Sequence, residues 1–328
     1  MPGIDMGLEE LERYAPAAWA PADLGEYWSR TLRSALDQPL EVEERPYPLA
    51  LSGVECRSLT FAGYEGGRIA ARELRPAGPG PYPGVVVFHG YSGSSPSPLE
   101  LYPLAAQGVA VLAMDCRGQN GESGDDLARG SGHLAGWMTQ GIRDPERYYY
   151  RHVYSDAVRA VEVLAARPGV DPARLAVTGV SQGGGLSLAV AALSGRICFA
   201  WADIPFLCDI RRGVEVAQDG PYLEIAEFLR RWPRLEPQVW RTLGYVDVLG
   251  LADRITCPVV VTVALWDDIC PPSTVFGAFR RISSEEKELR RLPYHGHDLP
   301  EEVVEQRLVT LLSRLAAGGT APRAGEQG

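Results

Sequence analysis

Apolar and polar positions divide the chain into an amphipathic start, a long middle in which short apolar runs alternate with helical periodicity, and an amphipathic end. Residues 7–14 and 22–36 predict two helices, the second with Leu24, Trp28, Leu32 and Ala35 at helical spacing, forming an arm over the core. VECRSLTFA at 54–62 and RIAAREL at 68–74 predict an antiparallel strand pair joined through GYEGG. The runs that follow are almost wholly apolar: GVVVF at 84–88, AVLAM at 110–114, LAVTG at 175–179, ICFAWAD, and PVVVTVAL at 258–265. Such runs suit parallel strands covered on both faces. Between them lie helical stretches at 156–166, with Ser155 as its N-cap and Gly169 close to its end, and from 185 onward. The alternation predicts an α/β protein with a mostly parallel central sheet flanked by helices.

Two stretches break the rhythm. Residues 119–154 are too long for a plain crossover and, around YYYRHVY, too aromatic for a disordered loop. They are expected to pack over the active site or against another subunit. Residues 209–250 read as helical and stand where a cap would be inserted. The last helix spans 301–316, with Val304, Leu308, Leu311, Leu312 and Leu315 facing the core, and 317–328 read as a solvated tail.

With 328 residues and no Pro/Gly-rich linker, the chain reads as one domain over 1–316 that carries an N-terminal arm (1–40) and the two insertions. Composition changes little in this picture: 45% hydrophobic and 23% charged residues are ordinary for a protein with a large core. The net charge of -10, without a basic stripe, removes nucleic acid as an expected partner. The acidic start lacks the basic and apolar regions of a secretory signal, and no apolar run is long enough to span a bilayer, so the expected location is cytoplasmic, without a membrane partner. Cys56, Cys116, Cys198, Cys208, Cys257 and Cys270 form no CxxC pair and lie mostly in strand-like surroundings; they read as free thiols in a reducing compartment.

The chemistry centres on Gly179-Val180-Ser181-Gln182-Gly183, a G-x-S-x-G between an apolar strand and a small-residue helix. A strand-to-helix turn there lifts the serine oxygen above the sheet edge, and the glycines leave room for both elements. A serine hydroxyl needs a base held by a third group, and in this architecture the acid and then the histidine follow later strands. PVVVTVAL ends at Trp266-Asp267-Asp268, and LRRLPYHGHDLP precedes the last helix. Asp267, nearest the strand end, is the expected acid, with Asp268 a solvated or capping carboxylate. Among His89, His133, His152, His295 and His297, only the last two have the right position; His297 lies one step nearer the helix, and His295 could be a surface or supporting residue.

Charge developing on the attacked carbonyl oxygen requires fixed N–H donors. The N–H of Gln182 is one candidate, and Tyr91, in the FHGYSGSSP loop after the first parallel strand, is the other by position. His89 opens that loop without a paired metal-ligand motif, so it is expected to position the loop; no metal or cofactor is implied. Asp115 and Arg117 follow the next strand and could pair to fix nearby loops.

Taken together, GYSGSSP at 90–96, RGQ at 117–119, GIRDPERYYYRHVYSDAVRAVE at 141–162, GVSQGGGLSLAVAALS at 179–194, DIPFLCDIRR, RTLGYVD and DDICPPSTVF resemble the acetyl xylan esterase and cephalosporin-C deacetylase family, carbohydrate esterase family 7. The resemblance covers nearly the whole chain. It implies an α/β-hydrolase fold, a triad of Ser181, Asp267 and His297, and oxyanion-hole N–H groups from Tyr91 and Gln182. It also implies removal of acetate from small acetylated carbohydrates, such as xylooligosaccharides, and from cephalosporin C through an acetyl-enzyme intermediate. A doughnut-shaped homohexamer is implied too, with the 119–154 insertion contributing contacts. A shallow acid pocket lined by Tyr91 and Pro205 would hold the acetyl group. The chain departs from the family where DLPEEV follows His297 and where His89 precedes the loop glycine. A broader short-chain carboxylesterase, or another serine hydrolase such as a peptidase, is the alternative.

Overall fold

A computed structural model describes residues 5–127, 129 and 133–316, so the reading of 317–328 as a tail lies outside the described residues. The N-terminal arm contains the short helix α1 (Leu8–Leu11) and α2 (Leu24–Asp37). Leu24, Tyr27, Trp28, Thr31 and Ala35 share the buried side of α2, the one-sided burial of an amphipathic helix, and the Trp28 indole donates to the Tyr245 carbonyl at 2.7 Å.

Next come β1 (Glu43–Pro46), β2 (Val54–Ala62), β3 (Arg68–Pro76), β4 (Tyr82–Phe88), α3 (Pro98–Ala106) and β5 (Ala110–Met114). Ser97 caps α3: its side chain accepts from the Glu100 N–H, and Glu100 in return accepts from the Ser97 N–H. The chain continues with α4 (Tyr149–Ala165), β6 (Val170–Val180), α5 (Gln182–Leu193) and β7 (Ile197–Asp203). Four helices then fill the stretch read from the sequence as a second insertion: α6 (Ile210–Val216), α7 (Tyr222–Arg231), α8 (Glu236–Gly244) and α9 (Val248–Leu251). The closing elements are β8 (Val259–Ala264), α10 (Pro272–Arg281), β9 (Lys287–Leu292) and α11 (Glu301–Ala316).

The strands form one sheet in the order β1-β2-β3-β5-β4-β6-β7-β8-β9, antiparallel through β5 and parallel from there on. This is the α/β-hydrolase fold implied by the sequence. Successive residues of each central strand enter opposite layers, as the two-residue side-chain period demands. Val85, Val111, Ala176 and Val260 pack with Leu101 and Leu104 of α3 and Leu311 and Leu315 of α11. Val86, Leu112, Val177 and Val261 pack with the opposite layer, which holds α2, α4 and α5. Strands covered on both faces need apolar residues at every position, hence the continuous runs in the sequence. Chain order reverses about β4, whose neighbours are β5 on one side and β6 on the other, and a crevice at the carboxyl ends of β4 and β6 follows from that reversal.

Several local expectations change. The helix expected at 156–166 begins at Tyr149, and Ser155 is no cap: it lies within α4, where its hydroxyl donates to the Arg151 carbonyl at 2.8 Å. The cause is tertiary: Tyr148, Tyr149, Tyr150 and Tyr154 are fully buried within the single chain, which makes YYYRHVY core packing rather than an exposed face. The strands β1 and β9 were not expected, because EERP and KELRRL carry the polar sequences of sheet edges. In α11 the inward residue is Val303, while Val304 is 42% exposed. All six cysteines are free and buried, and among the described residues no helix is long and apolar enough to cross a membrane.

Candidate active site

Ser181 occupies the turn between β6 and α5 with φ 57° and ψ -117°, a left-handed backbone that costs a non-glycine residue about 1–3 kcal/mol. Three backbone hydrogen bonds hold it there. Its N–H donates to the Asp203 carbonyl at 2.9 Å, and its own carbonyl accepts from Gly185 at 3.0 Å and Phe206 at 2.9 Å. The turn closes because its glycines admit backbone: a Cβ on Gly183 would lie 2.0 Å from the Phe88 carbonyl oxygen, and one on Gly179 would lie 2.5 Å from the Gly183 carbonyl carbon. The strand β4, with the loop that follows it, is thereby pressed against the serine turn.

Late elements bring the other two groups to the same point. His297, in the loop before α11, places Nε2 3.0 Å from Ser181 Oγ and Nδ1 2.8 Å from Asp267 Oδ2. Asp267, just past β8, is fully buried, and its other oxygen accepts from the N–H groups of Ile269 at 2.9 Å and Cys270 at 2.7 Å. Those two donors orient the carboxylate toward the imidazole. Asp268 stands apart, its main-chain carbonyl accepting from Gln218 and Asp219 of the second insertion. His295 also stands apart, paired through Nδ1 with Asp298 at 2.7 Å. Asp267, His297 and Cys270 hold donor atoms within 4.8 Å of one another and are the described residues placed to share a metal ion; the acid and histidine are already spent on the hydrogen-bond chain to Ser181.

The expected oxyanion donors are the N–H groups of Gln182 and Tyr91. Gln182 opens α5, so its N–H belongs to the first turn, which has no intrahelical acceptor. Tyr91 follows β4, and among the described residues its N–H has no backbone acceptor. The Tyr91 ring meets Trp137 edge-on, with centroids 5.2 Å apart, and Phe206 at 6.1 Å. Pro205 is buried beside Gly184, where an added Cβ would lie 3.1 Å from the proline Cα. A cleft of about 890 Å³ behind this loop, between α3 and α11, is lined by His89, Ser95 and Thr178 and does not include Ser181.

His89 holds the loop as expected: Nε2 accepts from the Cys116 N–H at 2.9 Å, and Nδ1 donates to the Gly90 carbonyl at 2.7 Å. These bonds need a neutral ring, and burial lowers the His89 pKa below its ordinary value. The unfolded chain therefore takes up a proton near pH 6.5 that the folded chain resists, so stability falls as pH drops below about 6.5, until the folded-state pKa is reached. Calorimetry of wild type and His89→Asn at about pH 7 and pH 5 is expected to show the smaller fall in melting temperature for the variant. Equal falls would assign the proton uptake to another group.

Asp115 and Arg117 do not pair with each other. Asp115 accepts from the N–H groups of Ser95 at 2.5 Å and Glu122 at 2.9 Å, closing the Tyr91 loop onto the next one. Arg117, fully buried, instead forks onto Asp156 of α4 at 2.6 and 2.8 Å. Sequence neighbourhood suggested the nearer partner; the fold supplies the distant one.

The model of the acetyl xylan esterase (AXE1) family matches residues 1–315. The chain belongs to the acetyl xylan esterase family. Two solved acetyl xylan esterases superpose closely. The enzyme from Paenibacillus sp. R4 is 37% identical with a TM-score of 0.91, covering 94% of this chain and 99% of that one. The enzyme from Thermoanaerobacterium sp. JW/SL YS485 is 35% identical with a TM-score of 0.90 and the same coverages. An acetyl esterase of Xylanibacter ruminicola, Axe7A, is 28% identical over 85% of this chain, which spans only 64% of that protein. An acylaminoacyl peptidase of Pyrococcus horikoshii, at 16% identity and a TM-score of 0.61, shares the fold alone. Family and fold together make this acetyl xylan esterase family member an esterase.

Sequence reasoning missed the side chains that brace the site of this family member. Gln119 accepts from the Ser92 N–H at 3.0 Å and donates to Gln182 Oε1 at 2.8 Å, while Tyr150 donates to that same oxygen at 2.9 Å. Gln119 therefore bridges the Tyr91 loop and the residue after Ser181. The RGQ string was its only signal. Phe206, which meets the Tyr91 ring, had only the DIPFLCDIRR string, and Glu224, which accepts from the Tyr91 phenol, had none.

Proposed function

We propose that the chain is a serine esterase that removes acetyl groups from small acetylated carbohydrates through an acetyl-enzyme intermediate. The observation that carries this reading is the continuous hydrogen-bond chain Ser181–His297–Asp267 at 3.0 and 2.8 Å. In the first half-reaction, His297 Nε2 takes the Ser181 proton as Oγ attacks the acetyl carbonyl. The buried Asp267 carboxylate keeps Nδ1 protonated and stabilises the imidazolium that forms. Charge on the carbonyl oxygen meets the N–H groups of Tyr91 and Gln182. The imidazolium then protonates the departing sugar oxygen. Water enters next, His297 takes its proton, and collapse of the second tetrahedral intermediate frees acetate and restores Ser181.

Pro205 and the Tyr91 ring form the acid side of the pocket in this reading, with Phe206 behind Tyr91. A wall so near the serine favours a methyl group, because each methylene in or out of an apolar pocket is worth about 1–3 kcal/mol. Acetylated xylooligosaccharides and cephalosporin C are the proposed substrates, a cytoplasmic homohexamer the proposed form. Six buried thiols in an unstapled core agree with a reducing compartment.

The test compares kcat/KM on acetyl, butyryl and octanoyl p-nitrophenyl esters, with an alanyl p-nitroanilide as the amide control. Activity is expected to fall at least about tenfold from acetyl to butyryl, and amide cleavage to be negligible. Pro205→Ala is expected to narrow the acetyl preference. A flat chain-length profile would replace the deacetylase reading with that of a broad carboxylesterase, and efficient amide cleavage with that of a peptidase.

A further inference from the structure

The loop carrying the Tyr91 N–H is anchored from outside by one carboxylate. Tyr91 Oη donates to Glu224 Oε1 at 2.6 Å and itself accepts from the Trp137 N–H at 2.6 Å and the Met138 N–H at 3.3 Å. Glu224 Oε2 accepts from the same Met138 N–H at 3.1 Å. Glu224 lies in the first turn of α7, in the second insertion, and Trp137 and Met138 lie in the first. One carboxylate thus ties two segments distant in sequence, residues 137–138 and α7, to the phenol of Tyr91, the proposed oxyanion donor. The contact is built closely: a Cβ on Gly136, whose φ is +96°, would lie 2.2–2.3 Å from the Glu224 carboxylate atoms. The Tyr91 ring has little freedom to compensate, being wedged between Trp137 and Phe206. Phe206 in turn donates its N–H to the Ser181 carbonyl at 2.9 Å.

From this geometry we infer that Glu224 is a positioning residue for the oxyanion hole, setting the Tyr91 N–H through the Tyr91 phenol and binding both insertions to that setting. The inference rests on the proposed serine-esterase reading. A donor held off its place binds the substrate carbonyl almost as before but stabilises the charged oxygen less, so the loss falls on kcat. In Glu224→Gln, an amide NH2 replaces one of the two acceptor oxygens that Tyr91 and Met138 now share. Tyr91→Phe keeps the backbone N–H and removes only the phenol.

Each variant is expected to lower kcat on an acetyl ester about 10- to 100-fold, below the loss for deleting a donor outright, with KM changed by less than about twofold. The double variant is expected to lose no more than the worse single one, since both substitutions cut the same link. Affinity for a trifluoromethyl ketone, which Ser181 would convert to a charged tetrahedral adduct, is expected to fall by the same factor as kcat/KM. Wild-type kcat in both single variants, a loss confined to KM, or additive losses would each overturn the inference. Should Glu224→Gln fail to fold, Tyr91→Phe carries the same comparison. Ser181→Ala separates the two levels: turnover retained there removes the serine-esterase reading itself, whereas turnover lost there but intact in Glu224→Gln and Tyr91→Phe removes only the role given to Glu224.

Discussion

Ser181→Ala is expected to lower kcat on an acetyl ester by about 10⁴- to 10⁶-fold while leaving the fold in place. The size follows from the proposed mechanism: without Oγ no acyl-enzyme can form, and the hydrogen bond from Ser181 to His297 is lost. What remains is whatever the oxyanion donors and substrate binding contribute to attack by water. The fold survives because Ser181 is held by its backbone bonds to Asp203, Gly185 and Phe206, and alanine keeps all three. Alanine is strained at φ 57° much as serine is, so the melting temperature is expected to move little. Asp267→Asn should approach the same loss, about 10⁴-fold, since an amide facing Nδ1 favours the wrong imidazole tautomer. Steady-state kinetics with an active-site titration of wild type measures both. Ser181→Ala turning over within about tenfold of wild type would exclude it as the nucleophile.

The second large effect is on stability. Asp156→Ala is expected to destabilise the protein by about 3–5 kcal/mol, because it strands the fully buried Arg117 guanidinium without the carboxylate that it grips at 2.6 and 2.8 Å. The same carboxylate accepts from the Tyr64 N–H at 2.8 Å, and Arg117 also donates to the Tyr64 carbonyl at 3.0 Å. The turn between β2 and β3, the loop after β5 and helix α4 all meet at this pair. Removing both charges together, as in Arg117→Met with Asp156→Leu, is expected to cost clearly less, since no uncompensated charge remains. Urea unfolding of the three proteins measures this, provided the transitions share one slope. A loss below about 1 kcal/mol for Asp156→Ala would mean that water or Asp125, 3.5 Å from Arg117, takes over the charge.

Much of this protein is legible in the sequence because its causes are local or strictly periodic. Strands β4, β5, β6, β7 and β8 announced themselves, since a strand covered on both faces is apolar at every position. The candidates Ser181, Asp267 and His297 were proposed from the order of elements, as each follows the end of a strand or precedes a helix that periodicity locates, and the structure brings the three within hydrogen-bond distance. The edge strands β1 and β9 were not legible, because solvent on an open side removes the pattern. Nor was the start of α4 at Tyr149: a helix end that is decided by burying four tyrosines carries no capping residue to mark it.

The sequence by itself thus determined the alternation that makes a doubly covered sheet, the glycines without which the Ser181 turn cannot close, and the types of reacting side chain available. The tertiary structure alone decided other meetings: Asp156 rather than Asp115 on Arg117, and Glu224 on the Tyr91 phenol across 133 residues. The physical reason is range. Turn sterics and hydrophobic periodicity act over a few residues and are written in the local string. A hydrogen bond acts over about 3 Å of space, and which distant segments come that close is settled only when the layers pack.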